Sequence, residues 1–131
     1  GDAALGVNVS SHWNEDFDNP ANKAFVEAWK KTYDRPLTYY ASQGYDTAKL
    51  IGSALKATGG DVDDADAFRD AMRKADFDSV RGKFKFGPNQ HPIQDWYALK
   101  VVEGDDGKPV IKTIGTVFQD HGDAYSDQCK M

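Results

Sequence analysis

The chain has 131 residues, room for one domain, and at that size a single core is expected to bury roughly two thirds of the unfolded surface. Hydrophobic residues make up 40% and charged residues 28%, which argues against a disordered or fibrous chain, and no apolar run approaches the ~20 residues that a membrane helix needs. The 16 Lys and Arg against 21 Asp and Glu give a formal charge of −5, a poor basis for gripping a phosphate backbone, so nucleic acid is not an expected partner.

The start, Gly1-Asp2-Ala3-Ala4-Leu5, carries no initiator Met, basic n-region or apolar h-region. The chain is therefore expected to be processed or to be a piece of something longer. Leu5 to Ser10 alternates apolar and polar residues and predicts a short strand. Ser11 to Asn19 follows as a polar loop with His12, Trp13 and Phe17.

Asn19-Pro20 is a strong helix start, because Asn caps free N–H groups and Pro suits the first helical position. Phe25, Trp29 and Tyr33 recur every fourth residue and predict an apolar, core-facing stripe on a helix that Pro36 stops. Leu37 to Tyr40 reads as a short β-prone piece. A second helix is predicted from Ser42 to Thr58, with Ala41, Tyr45, Ala48, Ile51 and Leu55 on its stripe and Gly59-Gly60 at its end. Asp46 is placed in its first turn, where a carboxylate suits the macrodipole. The acidic run Asp61 to Asp66 leads a third helix that turns Ala65, Phe68, Met72 and Ala75 inward and ends on Arg73 and Lys74.

Beyond Asp78 the period falls to two. Lys83 to Phe86 alternates, Gly87-Pro88-Asn89 breaks the run, and strands are predicted over Trp96 to Val102 and Val110 to Phe118, with Asp106-Gly107 as the hairpin signal between them. The pattern supplies one parallel strand and the Leu37–Tyr40 piece, too little sheet for three striped helices. Two readings stay open: the partner surface lies outside this chain, or the three C-terminal strands form the sheet of a compact α+β domain.

Phe25-Val26-Glu27-Ala28-Trp29-Lys30-Lys31-Thr32-Tyr33, then Tyr40-Ala41-Ser42-Gln43-Gly44-Tyr45-Asp46-Thr47-Ala48, then Phe68, Ala71-Met72 and the Phe77–Gly82 run, then Phe84-Lys85-Phe86 with the polar loop Gly87 to Gln94, and last Asp95-Trp96-Tyr97, stand in a distinctive order. This order resembles the periplasmic solute-binding proteins of branched-chain-amino-acid-type ABC importers, the type I, two-lobed group. Members of that group are much longer, and residues 1–131 resemble their C-terminal portion only. The resemblance implies an α/β fold class: part of a two-lobed type I periplasmic-binding-protein fold, with three helices and a C-terminal β-meander. It places Leu5–Ser10 at one crossing between lobes and the Phe84–Tyr97 region near another. The Ser/Thr and backbone cradle for a ligand carboxylate would lie outside this chain.

On that resemblance the loop with His12 and Trp13 faces the interlobe cleft, where an indole offers a flat apolar wall and an imidazole a hydrogen-bond donor. Tyr40 stands just before the family's "Y-D" helix, and Ser42 and Gln43 sit at its start, where free N–H groups point outward. These five are the expected ligand-binding residues, each set against a structural role as anchor, core residue or cap. Tyr45, Phe25, Trp29, Tyr33 and Phe68 are expected in the core.

Asp61, Asp63, Asp64 and Asp66 lack the Gly and closing Glu of a calcium loop, and His91 and His121 stand isolated, so neither metal nor cofactor is expected. The lone Cys129 forms no intrachain disulfide. There is no nucleophile elbow, Walker loop or dinucleotide fingerprint, and an enzyme is not expected. The expected function is the solute-binding component of an ABC importer in the periplasm. Its partners would be a small carboxylate-bearing solute (a branched-chain amino acid or an aromatic acid) and a membrane permease. The alternative is a sensory or regulatory module of the same fold. Alone, the chain is expected to pair with itself as a homodimer, to exchange strands or to be partly disordered.

Overall fold

The computed structural model describes residues 2–129. A 3-10 turn at Asp2–Ala4 precedes β1 (Asn8–Ser11), three helices α1 (Pro20–Thr32), α2 (Tyr39–Ala57) and α3 (Ala65–Lys74), and then β2 (Phe84–Phe86), β3 (Pro92–Glu103) and β4 (Pro109–His121). Three helices and a C-terminal meander are thus what the sequence pattern predicts.

Local chemistry sets the boundaries. The Asn19 side chain accepts from the Asn22 N–H at 2.8 Å and Pro20 opens α1. At the end of α2, Gly60 N–H donates to Leu55 O (2.8 Å) and Gly59 N–H to Lys56 O (3.4 Å), with both glycines at positive φ. This is the Schellman arrangement expected of Gly59-Gly60. Asp64 caps α3 by accepting from Ala67 N–H at 3.0 Å.

β3 is the spine of the four-stranded sheet. β4 runs antiparallel along one edge, from Gln94↔His121 to Glu103↔Pro109. The other edge is shared end to end: β2 pairs through Phe84↔Gln94 and β1 through Ser11↔Tyr97, both antiparallel. A short gap remains opposite Asp95 and Trp96, and the site described below is built around it.

Several expectations are corrected. β1 starts later than Leu5 and is antiparallel, because its register partner is the meander strand β3. Leu37–Tyr40 is no strand: helical geometry starts at Tyr39, where the extended backbone after Pro36 ends. Asp46 is therefore not in the first turn of α2 but two turns in, and buried. Tyr33 is 45% exposed, and Tyr45 and Ile51 are exposed too, because nothing in the described chain covers those faces of α1 and α2. The core is small. Trp13, Phe25 and Val80 form it, with Phe17, Val26, Trp29, Leu37 and Ala41 packed against them.

Candidate functional site

The register delivers the site. Ser11 faces Tyr97 at the end of β1, so the next residue, His12, emerges beside Trp96. The His12 and Trp96 rings stand edge to face at 5.6 Å, a favoured aromatic geometry. Tyr39, in the first turn of α2, stands edge to face with the imidazole at 6.3 Å, and Tyr40 packs on Tyr39 at 4.1 Å. Tyr40 is 68% exposed. Gln43, one turn on from Tyr39, brings its amide nitrogen to 3.5 Å from His12 Nε2. A donating amide there requires an unprotonated, accepting Nε2. Burial, and next the positive charge of Arg81, hold His12 below its ordinary pKa of 6.5, while Asp46 pulls the other way.

Behind this wall lies a second set of polar groups. Asp46, on α2, accepts from the Ser79 hydroxyl (2.6 Å), the Val80 N–H (3.1 Å) and Arg81 Nε (3.1 Å). Arg81 Nη1 donates to Gln94 Oε1 at 2.9 Å. The Asp46 and Arg81 side chains are 2% and 11% exposed. Burial lowers the Arg81 pKa and the Asp46 carboxylate opposes that.

Of the expected site residues, the structure brings His12, Tyr40 and Gln43 together. Trp13 and Ser42 point elsewhere. The Trp13 indole is 4% exposed, donates from Nε1 to Asn22 Oδ1 at 2.7 Å and packs edge to face on Phe25. Its place is in the core, under the loop that carries His12. Ser42 is fully buried and its hydroxyl donates to Tyr39 O at 2.7 Å. Tyr39 and Trp96 join the wall without having been expected there; for Trp96 the sequence signal is its place in Asp95-Trp96-Tyr97, near one of the crossings that the resemblance implies. Nothing in the chain before tertiary contact pairs Asp46 with Arg81, 35 residues apart.

The loop after His12 is pinned from both sides. Asn22 Nδ2 donates to Glu15 O (3.0 Å) and Phe17 O (3.1 Å). Thr113 donates its N–H (2.9 Å) and hydroxyl (2.6 Å) to Asp16. These bonds lower the Asp16 pKa, outweighing burial, which raises it. Among the described residues no cluster of His, Cys, Asp or Glu is arranged to hold a metal ion, and Cys129 is free and exposed. Surface hollows lie between α2 and α3, lined by Thr58, Asp61 and Lys74, and beside α1, lined by Pro20, Tyr45 and Phe84. Neither includes the His12 wall.

The family described as periplasmic binding protein matches residues 1–108. The chain belongs to that family. Leu/Ile/Val-binding protein homolog 6 of Brucella abortus (strain 2308) is 34% identical over 126 residues, covering 94% of this chain and 32% of that relative. The chain thus spans about a third of the length of the curated relatives it matches. Among solved structures, a solute-binding protein of an ABC transporter from R. palustris, in complex with benzoate, aligns over 100% of this chain and 35% of its own, with a TM-score of 0.87 and 34% identity. A second, from Rhodopseudomonas palustris BisB5 in complex with 3,4-dihydroxy benzoic acid, aligns over 95% of this chain and 34% of its own, with a TM-score of 0.84 and 33% identity. The fold class is therefore that of part of a type I periplasmic binding protein, and the relatives are solute-binding proteins, not enzymes.

Proposed function

We propose that this chain forms the C-terminal portion of the solute-binding component of an ABC importer, working in the periplasm with a membrane permease. In this reading His12, Tyr39, Tyr40, Gln43 and Trp96 are one wall of an interlobe cleft that takes a small aromatic acid. The carrying observation is the ring cluster: four aromatic side chains, His12, Tyr39, Tyr40 and Trp96, meet one another with the Gln43 amide beside them. Flat rings favour a flat ligand through offset or edge contacts, and Gln43 and the His12 ring supply polar partners for a carboxylate or hydroxyl substituent. Relatives solved with benzoate and 3,4-dihydroxy benzoic acid support the aromatic class.

A branched-chain amino acid is the second reading, favoured by the name of the Brucella relative. Ser42 and Trp13 serve this site from behind, by shaping the first turn of α2 and the loop that carries His12. A sensory module of the same fold would use the same wall, and an attached signalling domain would distinguish it. The ligand would stabilise the closed arrangement of the two lobes by its preferential affinity for it.

Calorimetry on the two-lobed protein with benzoate, 4-hydroxybenzoate and leucine decides the class. Binding of the benzoates with weak or no binding of leucine is expected, and the reverse order overturns the aromatic reading. Tyr40→Ala is expected to weaken benzoate binding by about 1–3 kcal/mol, and unchanged affinity removes Tyr40 from the wall.

A further inference from the structure

We propose that Arg81 is a positioning residue for the ligand-facing wall, holding Gln43 and Trp96 at their separation around His12 by bonding the residue behind each of them. The proposal rests on the reading of that wall as ligand-binding. On α2, Gln43 and Asp46 are three residues apart and share a face. On β3, Gln94 and Trp96 are two apart, Gln94 buried and Trp96 half-buried, with a shift in the pairing to β4 between them. Each element therefore gives one residue to an outer tier, Gln43 or Trp96 beside His12, and one to an inner tier, Asp46 or Gln94. Among the described residues Arg81 alone bonds both members of the inner tier: Nε donates to Asp46 and Nη1 to Gln94, at 3.1 and 2.9 Å.

The fork itself is held in place. The Arg81 N–H donates to Ser79 Oγ at 3.1 Å, the same hydroxyl donates to Asp46, and the guanidinium lies over the Phe84 ring at 5.0 Å. A planar guanidinium can serve two acceptors at a set angle, which a compact ammonium on a flexible stem does not reproduce. A buried ion pair contributes little net stability relative to apolar residues, so the placement of this one directly behind the wall is the informative fact. The Arg81 charge also adds to burial in keeping His12 neutral, against Asp46. The other groups facing the imidazole, Tyr39 and Gln43 on α2 and Trp96 on β3, carry no charge near neutral pH.

Two variants test this: Arg81→Lys, which keeps the charge and loses the fork, and the double variant Asp46→Asn with Arg81→Gln, which leaves no unpaired buried charge. The first readout is the NMR shifts and pH titration of the His12 and Trp96 ring protons in the two-lobed protein, without ligand. The second is benzoate affinity of the two-lobed protein. Arg81→Lys is expected to move the His12 and Trp96 shifts, to leave the His12 titration near that of wild type, and to weaken benzoate by at least about tenfold, roughly 1.4 kcal/mol. In the double variant His12 is expected to titrate at higher pH, with a similar loss of affinity. Folded Arg81→Lys protein with unchanged ring shifts, or with benzoate affinity within about twofold of wild type, overturns the proposal. Altered shifts in a two-lobed protein whose wild type binds no aromatic acid overturn the functional reading and leave the positioning geometry standing.

Discussion

His12 carries a stability signature that can be read without any ligand. Its pKa in the folded chain lies below the ordinary 6.5, first through burial and then through Arg81. Between the folded and unfolded values the unfolded chain binds more protons, so stability rises with pH through that window. The contribution is complete above the ordinary value and is lost as pH falls from there toward the folded pKa. Thermal midpoints recorded from about pH 8 down to about pH 5 should fall in the lower part of that range, and His12→Asn should flatten that part of the curve. Asp46 is the other decisive residue. Removing it leaves Arg81 buried without its carboxylate and orphans the Ser79 hydroxyl and the Val80 N–H. Asp46→Ala is expected to cost about 3–5 kcal/mol in urea unfolding, far more than loss of a surface pair such as Arg73–Asp70.

At the scale of elements, the helices start and stop where their end chemistry says, while their sides are governed by contacts far along the chain. Asn19 does two jobs: it caps α1 and donates from Nδ2 to Val80 O at 3.1 Å. Asn19→Ala should therefore cost about 1–2 kcal/mol in a denaturant melt, at the upper end of the range for a cap. Asn22 ties the α1 face to the His12 loop by accepting from Trp13 and donating to Glu15 O and Phe17 O. Trp13→Phe keeps most of the apolar bulk and leaves Asn22 Oδ1 without that donor, so a loss of about 1–3 kcal/mol is expected. The C-cap of α3 is Ala75 at φ 48°, a left-handed position usually given to Gly. Ala75→Gly is expected to raise stability by up to about 1 kcal/mol, and a fall in the denaturation midpoint would contradict the strain.

At the scale of the molecule, the accessible surface is 8941 Å². A self-contained protein of 14.5 kDa exposes about 6,900 Å² by the usual scaling. Many large apolar side chains are on show: Leu5, Val7 and Val9 about β1, Tyr40, Tyr45 and Ile51 on α2, and Ile111, Ile114, Val117 and Phe118 on β4 are all exposed. Such faces are those of a structural part whose complement lies in other polypeptide, in keeping with the third of the relatives' length that it covers. Isolated at high concentration, the chain is expected to self-associate through them, and sedimentation velocity showing a concentration-independent monomer would contradict this.

Sequence alone determined what rests on neighbours in the chain: the Asn19-Pro20 start of α1, the Gly59-Gly60 stop of α2, the Asp106-Gly107 hairpin and the order of motifs that marks the family. These depend on backbone sterics and capping within a few residues, and they act before tertiary contact. Tertiary structure alone decided which aromatic residues are core and which gather around His12 in the proposed wall. Trp13 and His12 are adjacent, yet one enters the core and the other stands half-buried beside Trp96, because β1 ends opposite Tyr97. The Asp46–Arg81–Gln94 set and the place of Trp96 in the wall follow from a strand register and a helix packed over it, and burial and charge pairing across such separations leave no periodic trace in the residues themselves.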